Sequence, residues 1–168
     1  MKFRLAVMED LPQLMVVFAE IIQNMNHNQI QIWDEVYPCG FFEEDIKNKQ
    51  LYVLHDSEEI VAAFVLCKEN AGANMVEWKN NQANALYLDR FGVNVNYLRM
   101  GMGSLAIQKA KETAKSVGAV YLRLFVVDIN SPAIELYQKL GFIRAGGSYD
   151  EVIEDDFVLH EYGYEIEL

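Results

Sequence analysis

The chain has 168 residues, with 14 Lys and Arg against 25 Asp and Glu, a net charge of −11, and a hydrophobic content of 52%. That length is one domain's worth of chain and buries enough surface to fold without disulfides or a structural metal, while its apolar content argues against disorder. The carboxylate excess argues against a protein built to neutralise a phosphate backbone, so no nucleic-acid partner is expected. Cys39 and Cys67 suit neither a zinc spacing nor a disulfide framework, and the scattered His27, His55 and His160 suit no metal site. The longest apolar run, Ile60 to Cys67, falls far short of the roughly 20 residues of a bilayer span. A cytoplasmic protein with no metal and no membrane partner is expected.

Phe3, Leu5 and Val7 alternate with Lys2, Arg4 and Ala6, which predicts a strand, and Glu9-Asp10 before Leu11-Pro12 predicts a helix start with proline in its first turn. Leu11, Leu14, Met15, Phe18, Ile22 and Met25 follow at helical spacing. A polar loop, Asn26 to Gln31, leads to Trp33 and Tyr37-Pro38-Cys39-Gly40, and a short helix is expected from Phe41 to Asn48. Leu51 to His55 and Ile60 to Cys67 predict a hairpin around Asp56-Ser57-Glu58-Glu59. Residues 69 to 85, rich in Asn and Ala, read as loop. Then come a strand from Leu86 to Val93, a helix from Met102 to Val117 ended by Gly118, a strand from Val120 to Val127, and a helix from Pro132 to Leu140 closed by Gly141. Two last strands are expected, Phe142 to Tyr149 and Phe157 to Glu167. This order implies an α/β fold with a mixed sheet and helices on both faces.

Between the strand ending at Val93 and the helix near Met102 lie Arg99-Met100-Gly101-Met102-Gly103-Ser104. Glycines at the mouth of a helix admit a ligand close to the backbone, where the first-turn N–H groups and the helix dipole favour an anion such as a pyrophosphate. The plainer reading is a tight strand-to-helix turn. Gly101-x-Gly103-x-x-Ala106, with Asp128 closing the next strand, also fits a dinucleotide fingerprint, but it comes too late in the chain to be followed by the several βα units that such a fold needs. No Gly-Lys-Ser or Gly-Lys-Thr follows, which excludes a P-loop.

Three motifs occur in order: Tyr87-Leu88-Asp89-Arg90-Phe91-Gly92-Val93, the turn from Arg99 to Ser104, and Asn130-Ser131-Pro132-Ala133 leading to Leu136-Tyr137-x-Lys139-x-Gly141-Phe142. In order and spacing they resemble the GNAT superfamily of acetyl-CoA-dependent N-acetyltransferases. The resemblance implies one domain over residues 1–168, with a central, mostly antiparallel sheet, a splayed parallel pair and helices on both faces. It implies acetyl-CoA as cosubstrate, held by Phe91, Gly92 and Val93 along the strand, by Arg99, Gly101, Met102, Gly103 and Ser104 at the turn, and by Asn130 and Tyr137. The family's usual Arg or Gln three places before the first glycine is Leu98 here, and the Arg stands one place later.

Transfer to an amine needs a polarised thioester, a deprotonated amine and a proton for the departing thiolate. The resemblance gives Tyr137 the last role, against a plain core tyrosine on the Ile134, Leu136 and Leu140 surface. It gives Asp89, on one strand face with Tyr87, Phe91 and Val93 by the two-residue period, the role of base or of amine contact, against a structural Asp that pairs with a nearby Arg or meets solvent and leaves a water chain as the base. Asn130 also suits an N-cap. The resemblance implies an acceptor groove lined by the first helix pair and the last strands, which makes Trp33 and Tyr37 candidates along it, with Asp34, Glu35, Asp150, Glu151 and Glu161 as further lining candidates, against the plainer reading of each as a surface or core residue. Residues 90–144 carry a net +5 and the remainder −16, which suits an anionic cosubstrate and a cationic amine. The resemblance leaves a homodimer open. Two other readings stand beside the enzyme: an acetyl-CoA-binding module acting through a partner and, more distantly, a dinucleotide-dependent oxidoreductase.

Overall fold

In the computed structural model, which describes residues 1–168, the alternating residues at the N-terminus form β1 (Lys2–Leu5). Pro12 opens α1 (Leu11–His27), where its missing N–H leaves no helical bond unmade. Asp10 ties the two together: its carboxylate accepts two bonds from the Arg4 guanidinium, at 2.7 and 2.9 Å, and a third from the Val7 N–H at 2.8 Å. Arg4 holds the Asp10 carboxyl below the usual carboxylate range.

The chain divides into two compact units, Met1–Leu66 with Arg90–Ala110, and Cys67–Asp89 with Lys111–Leu168. The first holds β1, α1, α2 (Phe42–Lys47), the hairpin of β2 (Leu51–Asp56) and all but the last residue of β3 (Glu59–Cys67), the latter half of β5 (Ala85–Val93), and the start of α3 (Met102–Ser116). Its strands run β1-β2-β3-β5, with β2 antiparallel to both β1 and β3. Ile60 to Leu66 are all buried, which is why this stretch reads as an unbroken apolar run and not as alternation. The buried stripe of α1 is Leu14, Val17, Phe18 and Ile21; it excludes Met15, which the spacing had suggested but which is 43% exposed. A helix of apolar residues at 11, 14, 15, 18 and 22 supports either of two adjacent stripes, and Phe18 decides between them by packing on Phe42 at 4.7 Å between ring centroids. Gly92 permits this packing, since a Cβ there would stand 2.7 Å from the Phe18 ring.

The second unit holds β4 (Val76–Glu77), the first half of β5, the end of α3, β6 (Tyr121–Val127), α4 (Ser131–Lys139), β7 (Ile143–Arg144), β8 (Gly146–Gly147), β9 (Tyr149–Glu154) and β10 (Phe157–Glu167). Its main strands run β5-β6-β10-β7, with β9 also paired to β10. β5 and β6 are parallel, joined through α3 as a parallel pair requires, and the other pairs are antiparallel. The sheet is therefore mixed, as expected.

Two expectations fail here. Residues 69 to 85 are not all loop: Val76-Glu77 pairs with Gly146-Gly147, and Trp78 beside it is 6% exposed. The predicted strand from Phe142 to Tyr149 is broken, because Gly147 turns at φ +80° and separates β8 from β9, which forms its own hairpin with β10. Paired strands of two residues are too short to display a period, and the carboxylates of Tyr149–Glu154 mask one. No helix is long and apolar enough to cross a membrane.

Candidate active site

In the first unit, Asn94 fixes the approach to the glycine turn. Buried, it donates from its side-chain amide to the Ile60 carbonyl (2.9 Å), accepts from the Asn96 N–H (3.0 Å), and its own N–H reaches the Val61 carbonyl (2.8 Å). The chain then passes Leu98 and Arg99, both exposed, with Arg99 at φ +60° and Gly101 at φ +78°. Leu105 N–H bonds the Gly101 carbonyl at 3.0 Å. The amides of Met102, Gly103 and Ser104 precede that bond and are the orphan donors of a 15-residue helix with no acid in its first turn. These residues fit a pyrophosphate, with backbone donors and the helix dipole supplying the attraction.

Arg90 takes φ +46° inside β5, so the two-residue alternation assumed to carry Asp89 on to Phe91 and Val93 is interrupted between them. Its guanidinium makes a double bond pair with the Asp45 carboxylate, both at 2.8 Å, and lies over the rings of Tyr37 (5.8 Å) and Phe41 (5.5 Å). Tyr37 is thus held by Arg90. Trp33 packs on Phe18 at 5.8 Å. Asp34 accepts from the N–H groups of Val36 and Tyr37, at 2.8 and 2.9 Å, and so closes a turn.

In the second unit, Asn130 caps α4, accepting from the Ala133 N–H at 3.4 Å. Tyr137, one turn and a half along that helix, is 6% exposed and packs against Phe142. Burial, and secondarily the charge of Asp89, raise its phenol above the usual tyrosine range. The register places further groups beside Asp89. Directly opposed residues share a face, and the pairs Tyr87↔Arg123, Arg123↔Glu165, Phe125↔Gly163, Val127↔Glu161, Glu161↔Tyr149 and Leu159↔Glu151 set one face of β5, β6, β10 and β9. Asp89, Glu161 and Glu151 stand on it.

The Glu161 carboxyl is pushed up to about 8, chiefly by burial, then by the charge of Glu151, a hydrogen bond with Glu151, and the charge of Asp89. Gly163 leaves a notch between these groups and the Arg123–Glu165 ion pair (3.0 Å), and Trp78 fills it: a Cβ on Gly163 would stand 2.9 Å from the indole. The Trp78 ring is fixed by its N–H to the Ala73 carbonyl (2.9 Å) and by the Arg123 guanidinium 4.7 Å above it. Asp150 is on the opposite face, paired with His160. The notch was missed from sequence, although a lone glycine between Tyr162 and Tyr164 in a strand-forming run is the signal for a close approach.

A model of the GNAT acetyltransferase family matches residues 18–142. Over 142 residues the chain is 26% identical to streptothricin acetyltransferase A of Bacillus subtilis, covering 84% of this chain and 80% of that one. Over 64 residues it is 39% identical to thialysine N-epsilon-acetyltransferase of Bos taurus, a match spanning 38% of this chain and 36% of the cattle enzyme. A crystal structure of a GNAT-family acetyltransferase from Streptococcus agalactiae superposes with a TM-score of 0.77 at 17% identity, over 99% of this chain and 95% of that one.

Proposed function

The chain belongs to the GNAT acetyltransferase family, and from that premise we propose that it moves the acetyl group of acetyl-CoA to a primary amine by direct attack in a ternary complex. The family match over residues 18–142 is the observation that carries this reading. The first-turn amides of Met102, Gly103 and Ser104 bind the pyrophosphate, with Arg99 and Gly101 shaping the turn, and Phe91, Gly92 and Val93 hold the pantetheine arm and the thioester. Asn130 presents α4, and Tyr137 with it.

Tyr137 stays protonated throughout the working range, since its phenol lies above the usual value of about 10. Full proton transfer to a thiolate, whose thiol has a pKa of about 8.5, is uphill from such a phenol. Tyr137 therefore acts as a hydrogen-bond donor that stabilises charge developing on sulfur. Asp89 supplies the negative charge beside which a cationic amine settles. Neither Cys39 nor Cys67 lies in the motifs, so no acetyl-cysteine is formed.

The test is thiol release from acetyl-CoA in the presence of amines, with polyamines, amino acids, peptide N-termini, aminoglycosides, streptothricin and thialysine as acceptors, the last two taken from the relatives' names. Release that depends on the amine supports the reading. A raised melting temperature with acetyl-CoA but no release with any amine points instead to a binding module; Leu98, exposed at the family's usual Arg or Gln position, is the feature that favours that outcome.

A further inference from the structure

Asp89 is not the sole carboxylate on its face. Glu161 lies two residues from the Gly163 notch, opposite Tyr149 of β9 and Val127 of β6, with Glu151 on the diagonal and in hydrogen-bonding reach. The charge of Asp89 reaches both Glu161 and Tyr137. Tyr137 is more than nine-tenths buried, yet its hydroxyl makes no hydrogen bond, and no side-chain oxygen in the molecule is both sealed from solvent and unpartnered. The hydroxyl thus opens on to reachable space within range of Asp89, as a group waiting for a ligand would.

We infer that Glu161 is the base that takes the acceptor's proton, with Glu151 tuning it and Asp89 holding the cation. This deepens the acetyl-transfer reading and rests on it. Burial and, after it, the like charge of the neighbouring Glu151 leave Glu161 holding its proton, since a carboxylate out of water and beside another negative charge resists ionisation. That fits the elevation of Glu161 to about 8, near where a general base works best. The groups facing it are Glu151 and Tyr149 from β9 and Asp89 from β5, while β6 contributes the apolar Val127.

An ammonium entering beside Glu151 and Asp89 displaces the retained proton to solvent. One N–H bond of the ammonium then breaks to the Glu161 carboxylate, leaving its electron pair on nitrogen. That pair forms the C–N bond at the acetyl carbon as the C–S bond breaks on to sulfur. The second proton lost by nitrogen ends on the thiolate, and the proton on Glu161 leaves to solvent.

Two measurements test this. In carbon-13 carboxyl NMR, with Glu161→Gln for assignment, the Glu161 resonance should titrate near pH 8 alone and at least one unit lower with 1,4-diaminobutane or with an acceptor that turns over. No movement with any of these amines overturns the inference. In thiol-release kinetics, Glu161→Gln should lower kcat/KM for the amine about a hundredfold at pH 8 and abolish the acidic limb, with KM for acetyl-CoA unchanged. Glu151→Gln should keep the limb and move it to lower pH, a shift that a merely structural Glu161 would not produce. Wild-type profiles in Glu161→Gln overturn Glu161 as base while leaving acetyl transfer standing. Failure of the wild-type chain to release thiol with any amine counts against acetyl transfer, and the NMR titration then decides on Glu161 by itself.

Discussion

A carboxyl that keeps its proton to about pH 8 in the fold but surrenders it near pH 4.3 in the unfolded chain makes stability depend on pH in a fixed direction. Below about pH 4 both states are protonated and Glu161 contributes nothing. Between there and pH 8 the folded state binds the extra proton, so stability falls as pH rises, and it stays reduced above that. Glu161→Gln should therefore raise Tm at pH 9 and leave it nearly unchanged at pH 4, which thermal melts at the two pH values measure. Tyr137→Phe should lower turnover about a hundredfold with little change in acetyl-CoA affinity, read from thiol release and from ligand-dependent melting. Tyr137, Asn130 and Asp89 were legible as residues because each sits in a short motif. Glu161 was legible only as one of five acids expected along the acceptor, with no role of its own; its neighbours Glu151 and Asp89 come from strands 10 and 72 positions away, and only the register joins them.

Among the elements, β5 is where local sequence and packing diverge. Its pattern reads as a plain strand, but the left-handed backbone at Arg90 is sustained by a buried ion pair with Asp45 on α2, whose side chains are 11% and 6% exposed. Asp45→Asn removes the charge that answers that guanidinium across both 2.8 Å contacts, and urea unfolding should show a loss of about 3–5 kcal/mol. Gly92→Ala forces a methyl against Phe18 and should cost about 1–3 kcal/mol in the same assay. The hairpin of β2 and β3, the helices α3 and α4 and the strand β6 could all be read from sequence, because each is long enough to show a helical period or a continuous apolar run, and turn residues such as Gly118 and Gly141 bound the helices. β4, β7 and β8, of two residues each, hold together only through partners far along the chain, so no window of sequence contains their cause.

At the scale of the whole molecule, the net −11 is an average of +5 over residues 90–144 and −16 elsewhere. The proposed attraction of a cationic amine to the carboxylates should weaken as salt shortens the Debye length from about 10 Å at 0.1 M to about 3 Å at 1 M. KM for the amine should rise over that range while kcat changes little, as initial rates at fixed pH would record. The family and the mixed sheet with its parallel pair were open to reading because three linked motifs span the middle of the chain; the order of strands in the sheet and the burial of Trp78 were not, as nothing local marks either. That indole has a further use. With Trp33→Phe it becomes the sole tryptophan, lodged over Gly163 on the face that carries Glu161. Its emission would then be a built-in optical probe, able to follow arrival of an amine at the carboxylates within a single mixing experiment and without any acetyl donor.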